Sequence, residues 1–265
     1  MIDLQPQYLD VPAGRSGARR IAYLYAPGTD KDRPGLVWFS GLKSVMTSTK
    51  ATALAEWAAR EGLSMLRFDY SGHGQSGGAF TDGTAGQWLE DSFTVLKQVA
   101  RGPQIFVGSS MGGWIALLIL RAIAGTDPMA AGLIPVSGAV LIAPAWDMTE
   151  ALMWRQFPPD VRNELVAKGH FERPSHYEDG ANVITRELIE DGRNHLIGDD
   201  SFDPGCPVRI IQGVQDPDVP WQHAFGLLQI LASENVMLSL IHDGDHRLSR
   251  PKDITKLLQN VHALC

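Results

Sequence analysis

Ile105–Gly113 reads IFVGSSMGG, an apolar run that stops at a glycine and is followed by two serines, a methionine and two more glycines. Only Ser110 lies at the centre of a G-x-S-x-G pattern, because a frame centred on Ser109 places Val107 and Met111 where the pattern needs glycines. In this motif the serine occupies a strained turn from a strand into a helix. The β-rich run Gln104–Val107 and the apolar run Trp114–Ile123 supply that strand and that helix. The sequence therefore predicts a nucleophilic serine at a strand end, although Gly and Ser also end ordinary strands.

Strand-like and helix-like runs alternate along most of the chain. This alternation predicts an α/β fold with a mostly parallel central sheet flanked by helices, and it places ligands outside the carboxyl ends of the strands. The predicted strands are Arg20–Tyr25, Leu36–Phe39, Ser64–Phe68, Gln104–Val107, Ala139–Ile142, Val208–Gly213 and Val236–Ile241. The predicted helices are Thr49–Arg60, Ala85–Val99, Trp114–Ile123, Trp221–Leu231 and Lys252–Leu264.

The interval 147–203 breaks this alternation, because it contains helical pieces and no convincing strand. It is too long for an ordinary connection, so we expect a helical cap inserted into an α/β core formed by 1–146 and 204–265. An apolar cluster at roughly helical spacing lies at its start. These side chains either pack against the core or line an acyl pocket. They are Trp146, Leu152, Met153, Trp154 and Phe157.

The overall composition excludes several classes of partner. The chain has 265 residues and a formal net charge of -7, with no stripe of Lys or Arg. Nucleic acids and anionic membrane surfaces are therefore poor partners. The two cysteines, Cys206 and Cys265, are far apart and match neither a disulfide framework nor a zinc site. We expect no metal, no cofactor and no nucleic-acid partner.

The amino-terminal stretch MIDLQPQYLDVPA carries neither a basic segment nor an apolar segment of the kind found in secretory signals. It also lacks the Arg-rich character of a transit peptide. The apolar run around Trp114 is too short and too interrupted to span a bilayer. These features predict a cytoplasmic location and no integral membrane segment.

A serine hydroxyl becomes a useful nucleophile only when a base accepts its proton and a carboxylate orients that base. The expected chain order is Ser, then acid, then His, each following a strand. Asp216 follows the strand Val208–Gly213, and the prolines after it predict a rigid turn that aims its carboxylate. Asp218 on the same loop and Asp147 after an earlier strand are alternatives for the acid.

Two histidines follow the strand Val236–Ile241. His242 lies at the strand end, whereas His246 lies further along a loop that can reach over the serine, so we favour His246 as the base. A metal site built from His242, Asp243, Asp245 and His246 would place its ligands too close in sequence for a standard geometry. The backbone amides of Leu42, after the strand ending at Phe39, and of Met111 are the candidate oxyanion donors.

The motifs together resemble the α/β-hydrolase family across nearly the whole chain. They are G-x-S-x-G, D-Y-S-G-H-G-x-S at 69–76, D-x-x-V-P at 216–220 and the late D-H at 245–246. The resemblance implies Ser110 as nucleophile, Asp216 as acid and His246 as base. It is strongest to a branch of the family that hydrolyses S-acyl-cysteine thioesters and activated acyl esters such as acyl glucuronides, so it implies such small-molecule esters or acylated proteins as substrates.

The leading hypothesis is therefore a serine hydrolase that cleaves carboxylic esters or acyl thioesters through an acyl-enzyme. Lys43, Lys50 and Arg247 lie in loops near the predicted site and are candidates to hold a substrate carboxylate, although such side chains are more often simply solvated. The same fold also supports carbon-carbon hydrolysis, acyl transfer or, when residues of the triad are lost, binding without catalysis. The sequence does not separate these alternatives.

Overall fold

The central feature of the computed structural model is an eight-stranded sheet; the structure describes residues 4–14, 17–125, 132–174 and 181–265. The strands of the described residues are β1 Gln7–Gly14, β2 Gly17–Ala26, β3 Gly35–Phe39, β4 Met65–Phe68, β5 Gln104–Ser109, β6 Val136–Ile142, β7 His170–Pro174, β8 Ala181–Thr185, β9 Val208–Gly213 and β10 Val236–Ile241. The strand order of the central sheet is β1-β2-β4-β3-β5-β6-β9-β10; β2 pairs antiparallel with β1 and with β4, and the other pairs are parallel. This mostly parallel sheet confirms the predicted fold class.

Seven α-helices are formed by the described residues. They are α1 Thr49–Arg60, α2 Ala85–Val99, α3 Met111–Ile123, α4 Pro159–Lys168, α5 Arg186–Gly192, α6 Trp221–Ile230 and α7 Pro251–His262. A π-helical segment, Met148–Trp154, and two short 3-10 turns, Phe80–Asp82 and Arg193–His195, complete the elements. The predicted bounds of α1 and α2 agree with the structure residue for residue, because strong amphipathic patterns end there at polar or glycine-rich turns.

Alternate residues of the buried strands face two layers of helices. Ile105 and Val107 of β5 share one hydrophobic cluster with side chains of α1 and α7. Phe106, between them, belongs to the cluster that contains residues of α2, α3 and α6. All six residues of β5 are buried, as expected for a strand covered on both faces. The sheet therefore holds β5, and the serine that follows it, in a rigid position.

Strand β1 was not predicted from the sequence. Pro12 interrupts its pattern, and proline lowers the expectation of a strand except at a sheet edge. The structure places β1 at that edge, where it pairs with β2 through Leu9 and Ile21 and a register irregularity follows Val11. The edge position leaves strand backbone groups without a second neighbour, so it tolerates a residue that lacks an N–H.

The segment 147–203 is not wholly helical, and here the prediction is corrected. Strands β7 and β8 form a two-stranded antiparallel sheet in which Phe171 pairs with Ile184. Aromatic and β-branched side chains at these positions favour strands over helices. Residues 175–180 of the predicted cap lie outside the described residues. The domain boundaries proposed from the sequence, and the covering of the active site by this segment, remain predictions.

The two ends of the segment meet at one buried carboxylate. Asp147 accepts hydrogen bonds from the backbone N–H groups of Ile197 at 2.6 Å and Gly198 at 2.9 Å. Burial raises the pKa of Asp147 above its ordinary value. Asp147 therefore has a structural role at the base of the segment, and both of its carboxylate oxygens are occupied there.

Candidate active site

The turn at Ser110 has the backbone shape that its motif predicts. Ser110 connects β5 to α3 with φ 54° and ψ -119°, a left-handed conformation that is costly for a residue with a side chain. A Cβ atom added at Gly112 would lie 2.1 Å from the Phe39 carbonyl oxygen, and one at Gly108 would lie 2.5 Å from the Gly112 carbonyl oxygen. Both glycines are therefore required by the close approach of the neighbouring backbone.

Ser110 and His246 lie within hydrogen-bond distance of each other. The Nε2 atom of His246 is 3.1 Å from the Ser110 hydroxyl oxygen, and its Nδ1 atom is 2.8 Å from an Asp216 carboxylate oxygen. The three residues follow β5, β9 and β10, whose carboxyl ends lie along the same edge of the sheet. The structure thus brings together the serine, acid and base that the sequence predicts, with the favoured histidine between the other two.

The Asp216 carboxylate is held by several donors. Its Oδ1 atom accepts hydrogen bonds from the backbone N–H groups of Asp218 at 2.9 Å and Val219 at 2.8 Å. The side chain of Asp216 is 0% exposed and that of His246 is 18% exposed. Two backbone donors on one oxygen fix the orientation of this carboxylate. The alternative acid Asp218 thus supplies a backbone donor to Asp216, and the alternative base His242 is exposed at the end of β10.

Asp216 and His246, together with Asp218, form the group of possible metal ligands found among the described residues. Ligand atoms of Asp216, Asp218 and His246 lie within 4.8 Å of one another. An ion shared by them would compete with the hydrogen bond between His246 and Asp216 for the same nitrogen and oxygen. The geometry fits a proton-transfer chain better than a metal centre, and the prediction that no metal is needed stays a prediction.

The predicted oxyanion donors lie on either side of Ser110. Met111 is the first residue of α3, and Leu42 lies in the loop after β3 and lines the same cavity as Ser110. A Cβ atom added at Gly41 would lie 3.4 Å from the Ser110 Cβ atom, so this loop runs directly against the serine. Within the described part of the chain, neither the Leu42 nor the Met111 N–H donates a hydrogen bond. Both donors are available to a substrate oxygen.

A cavity of about 200 Å³ opens beside Ser110 and His246. Its described lining includes two basic side chains and no acidic one, and most of the other side chains carry hydroxyl groups. Such a lining suits a polar or anionic group better than an acyl chain. The lining residues are Trp38, Gly41, Leu42, Ser44, Ser48, Thr49, Lys50, Ser109, Ser110, His246, Arg247 and Ser249.

Helix α1 begins at this cavity. Its N-cap residue, Ser48, makes no side-chain capping bond, and the Ser48 hydroxyl is buried with no partner among the described residues. No acidic residue occupies the first turn of α1. The amides at a helix N-terminus carry partial positive charge, so this end of the cavity favours a negatively charged or hydrogen-bond-accepting group.

Lys50 lines the cavity and also contacts the loop that carries His246. Its Nζ atom donates hydrogen bonds to the Arg247 backbone oxygen and, at 3.5 Å, to the Ser249 hydroxyl. Burial, with repulsion from Arg247 added to it, lowers the pKa of Lys50 from 10.5 to about 8. Lys50 is therefore charged at neutral pH, and it loses that charge at a pH well below the usual value for lysine.

The remaining predicted pocket residues lie elsewhere. Lys43 lies over the Phe80 ring, with its Nζ atom 5.4 Å from the ring centroid, and it does not line the cavity. Met153 and Phe157 are buried in the main hydrophobic cluster, and Trp146 and Leu152 pack against that cluster. These four side chains do not line the cavity beside Ser110. Their place in an acyl pocket, like that of Lys43 at an anion site, stays a prediction.

Sequence reasoning missed several polar lining residues. Ser44, Ser48 and Ser249 line the cavity although they belong to no recognised motif. Ser44 and Ser48 follow Gly41 and Leu42 in the loop already expected to supply an oxyanion donor, and this proximity is what the sequence offered toward finding them. Their meeting with Ser249 depends on the packing of α1 against the loop before α7, which no short pattern encodes.

Comparisons with known proteins identify the family of this chain. The family described as "Serine aminopeptidase, S33" matches residues 31–181. The mouse mitochondrial palmitoyl-protein thioesterase ABHD10 is 33% identical over 251 residues, which cover 94% of this chain and 80% of that protein. The human protein of the same name is 32% identical over 87% of this chain and 72% of its own length.

Two solved structures are also similar. A candidate hydrolase of Agrobacterium vitis S4 superposes with a TM-score of 0.93 at 44% identity, covering 98% of both chains. Mouse α/β-hydrolase domain-containing protein 10 superposes with a TM-score of 0.83 at 32% identity, again covering 98% of both. The same overall fold is thus present in two proteins that share about a third or more of the sequence.

The comparisons correct the predicted location, and the structure bears on the prediction that the chain has no integral membrane segment. The curated relatives, from mouse, orangutan, human, cattle and rat, are all named as mitochondrial proteins, and this contradicts the predicted cytoplasmic location. Among the described residues, none of the helices has the length and apolar character needed to cross a membrane. The fold, the family match and the relatives together show that this chain belongs to the α/β-hydrolase family.

Proposed function

We propose that this protein is a serine hydrolase that cleaves carboxylic esters or acyl thioesters through a covalent acyl-enzyme. The observation that carries the proposal is the continuous hydrogen-bonded chain from Ser110 through His246 to Asp216, at 3.1 and 2.8 Å. An imidazole between a serine hydroxyl and a buried carboxylate is the arrangement that activates serine as a nucleophile.

In the acylation step, Ser110 Oγ attacks the substrate carbonyl carbon and its proton passes to His246 Nε2. The His246 Nδ1–H group donates a hydrogen bond to Asp216, and the carboxylate stabilises the imidazolium. The carbonyl oxygen becomes negatively charged and accepts hydrogen bonds from the Leu42 and Met111 N–H groups. When the intermediate collapses, the bond to the leaving alcohol or thiol breaks, and His246 returns the proton to that group.

In the deacylation step, a water molecule takes the place of the leaving group. His246 accepts one proton from the water as its oxygen attacks the acyl carbon, and the same two N–H groups hold the second oxyanion. Collapse releases the carboxylic acid, and His246 returns the proton to Ser110 Oγ. The enzyme is regenerated without a cofactor, and the sum of the two steps is hydrolysis by one water.

The substrate class follows from the cavity and from the relatives. The relatives' name, palmitoyl-protein thioesterase, supports S-acyl-cysteine thioesters as substrates, with the acyl chain directed toward the apolar side chains of the 147–203 segment. The hydroxyl-rich cavity with Lys50 and Arg247 supports a polar or anionic leaving group, as in an acyl glucuronide. We therefore assign the cavity to the leaving group and the predicted acyl pocket to the chain.

The test compares the two adjacent serines. Ser110→Ala should abolish labelling by a fluorophosphonate and lower kcat for a chromogenic ester by roughly 10⁴-fold or more, because no nucleophile remains. Ser109→Ala is the matched control: Ser109 lines the cavity but lies outside the chain from Ser110 to Asp216, so its replacement should leave most of the activity on a small neutral ester in place. Substantial esterase activity or labelling in the Ser110 variant would overturn the proposed mechanism.

A further inference from the structure

A buried glutamine lies directly under the loop that carries Asp216. Gln212 is the penultimate residue of β9 and is 0% exposed. Its Nε2 atom is 3.0 Å from the Gly213 carbonyl oxygen, 2.9 Å from the Val219 carbonyl oxygen and 3.1 Å from Asp216 Oδ2. One amide group therefore contacts the start of the loop, its end and the carboxylate between them.

The orientation of this amide is fixed by what surrounds it. All three neighbours of Nε2 are oxygen atoms that can only accept, so the NH₂ group must face them, and the reverse orientation would oppose oxygen to oxygen. The amide oxygen, Oε1, is buried and has no partner among the described residues. An apolar side chain here would leave the buried Gly213 and Val219 carbonyl oxygens without this donor, so the amide supports the loop as well as the carboxylate.

Asp216 Oδ2 also accepts the hydrogen bond from His246 Nδ1–H. Gln212 and His246 thus share one carboxylate oxygen, while the backbone N–H groups of Asp218 and Val219 occupy the other. Two donors on each oxygen fix both the plane of the carboxylate and its direction toward the imidazole. Among the described residues, Gln212 and His246 are the side chains that donate to Asp216.

We infer that Gln212 is a positioning residue for the hydrolytic reaction: its amide fixes the loop 213–219 and aims Asp216 Oδ2 at His246 Nδ1. The inference rests on the proposed function, because it assigns Gln212 a role through the Ser110, His246 and Asp216 chain. It predicts that loss of the amide misdirects the carboxylate without altering the cavity, since Gln212 does not line it.

The test is Gln212→Met, which keeps the length of the side chain and removes both the donors and the unsatisfied oxygen. We expect the variant to fold, and kcat for a p-nitrophenyl ester to fall by roughly tenfold to a hundredfold with KM nearly unchanged. The low-field proton NMR signal of His246 Nδ1–H should shift, because Asp216 Oδ2 then serves one donor instead of two. Should the Met variant fail to fold, Gln212→Asn, whose amide is one methylene shorter, gives the same comparison.

The matched control is Gln104→Met. Gln104 is also a buried glutamine, and its Nε2 atom contacts the Arg101 and Gly102 carbonyl oxygens at the start of β5, at the opposite end of the strand from Ser110. Its replacement should lower the unfolding temperature and leave kcat and the histidine signal unchanged. An unchanged kcat and an unshifted signal in a folded Gln212 variant would overturn the inference. Activity surviving in Ser110→Ala would instead overturn the proposed function, so the two failures are distinguishable.

Discussion

Lys50 contacts the loop that carries His246 and also lines the cavity beside Ser110. Its ammonium group holds the backbone oxygen of Arg247, next to the proposed base. A charge-assisted hydrogen bond to a bound anion contributes roughly 1.5 to 3 kcal/mol, which corresponds to about tenfold or more in affinity. Whether the charge of Lys50 is used for binding can therefore be measured.

The pKa of Lys50 predicts a pH dependence for anionic substrates only. Because that pKa is lowered to about 8, the ammonium charge is present below pH 8 and is lost above it. The ratio of kcat/KM for an acyl glucuronide to kcat/KM for a neutral aryl ester should be constant up to about pH 8 and then fall. In Lys50→Met the ratio should be roughly tenfold lower and should not change across this range. Initial rates on both substrates between pH 6 and 10 measure it.

Lys43→Met is the control for this experiment. Lys43 carries the same charge but lies over the Phe80 ring and does not line the cavity, so its replacement should leave both the ratio and its pH profile unchanged. The neutral ester reports any displacement of His246 caused by losing the contact to Arg247. If both substrates lose activity equally in Lys50→Met, Lys50 supports the loop and does not bind the anion.

At the scale of single residues, the sequence predicted what is encoded locally. Ser110 could be identified because the glycines two residues before and after it form a short sequence pattern; Gly108 is required by a close contact within the turn and Gly112 by a close contact with the end of β3. Asp216 and His246 could be proposed because each lies in the loop that follows a strand. Gln212 and Ser48 could not, since their importance arises from contacts that only the folded loops create. A buried amide below a loop has no signature in a linear pattern.

At the scale of elements, the prediction succeeded for the long helices and for seven strands of the central sheet, and it missed β1, β7 and β8. Helices α1 and α2 have the predicted bounds because each is long and has one buried face. The strands β7 and β8 were missed because they pair with each other outside the main sheet, in a segment whose other pieces are helical. Without the alternation of strands and helices that marks the central sheet, a short run there does not separate a strand from a piece of helix.

Helix α6 is joined to the start of the 147–203 segment by one aromatic pair. The rings of Trp146 and His223 stack with their centroids 4.6 Å apart. The Trp146 Nε1–H donates to the His223 backbone oxygen at 2.9 Å, and His223 Nε2 is 2.8 Å from the Trp146 backbone oxygen. Burial lowers the pKa of His223 from 6.5 to about 4, so the folded protein holds this histidine neutral.

This pair predicts a loss of stability in mild acid. Between pH 6.5 and about 4, the unfolded chain binds a proton at His223 that the folded chain does not, so the free energy of unfolding falls as the pH is lowered. The full shift corresponds to about 3 kcal/mol. His223→Asn should remove this part of the pH dependence, although it lowers stability at neutral pH. Urea unfolding at pH 4, 5, 6 and 7 measures the slope for both proteins.

His242→Asn serves as the comparison, because His242 is exposed and takes no part in the contact between Trp146 and His223. It should reproduce the pH dependence of the unchanged protein. An equal slope in the His223 variant and the unchanged protein would show that the stacked pair does not govern acid stability.

At the scale of the whole molecule, the segment 147–203 shares its core with the α/β sheet. Met153, Leu165 and Ile184 belong to the same hydrophobic cluster as Phe106 and Trp114, which lie on β5 and α3. An inserted domain with its own core would bury such side chains among themselves. The shared cluster predicts that the segment and the sheet unfold together, as one cooperative unit.

Two neighbouring residues of α4 test this prediction. Leu165 is 0% exposed within the shared cluster, whereas Val166 is 57% exposed. Leu165→Ala should lower the free energy of unfolding of the entire chain by about 2 to 5 kcal/mol, with an unchanged dependence on denaturant and with coincident transitions by fluorescence and circular dichroism. Val166→Ala should change it by about 0.5 kcal/mol or less. If Leu165→Ala instead produces an early partial transition while the main one stays in place, the segment folds as a separate domain. Coincident transitions would mean that any displacement of the segment must break contacts that also stabilise the sheet beneath Ser110.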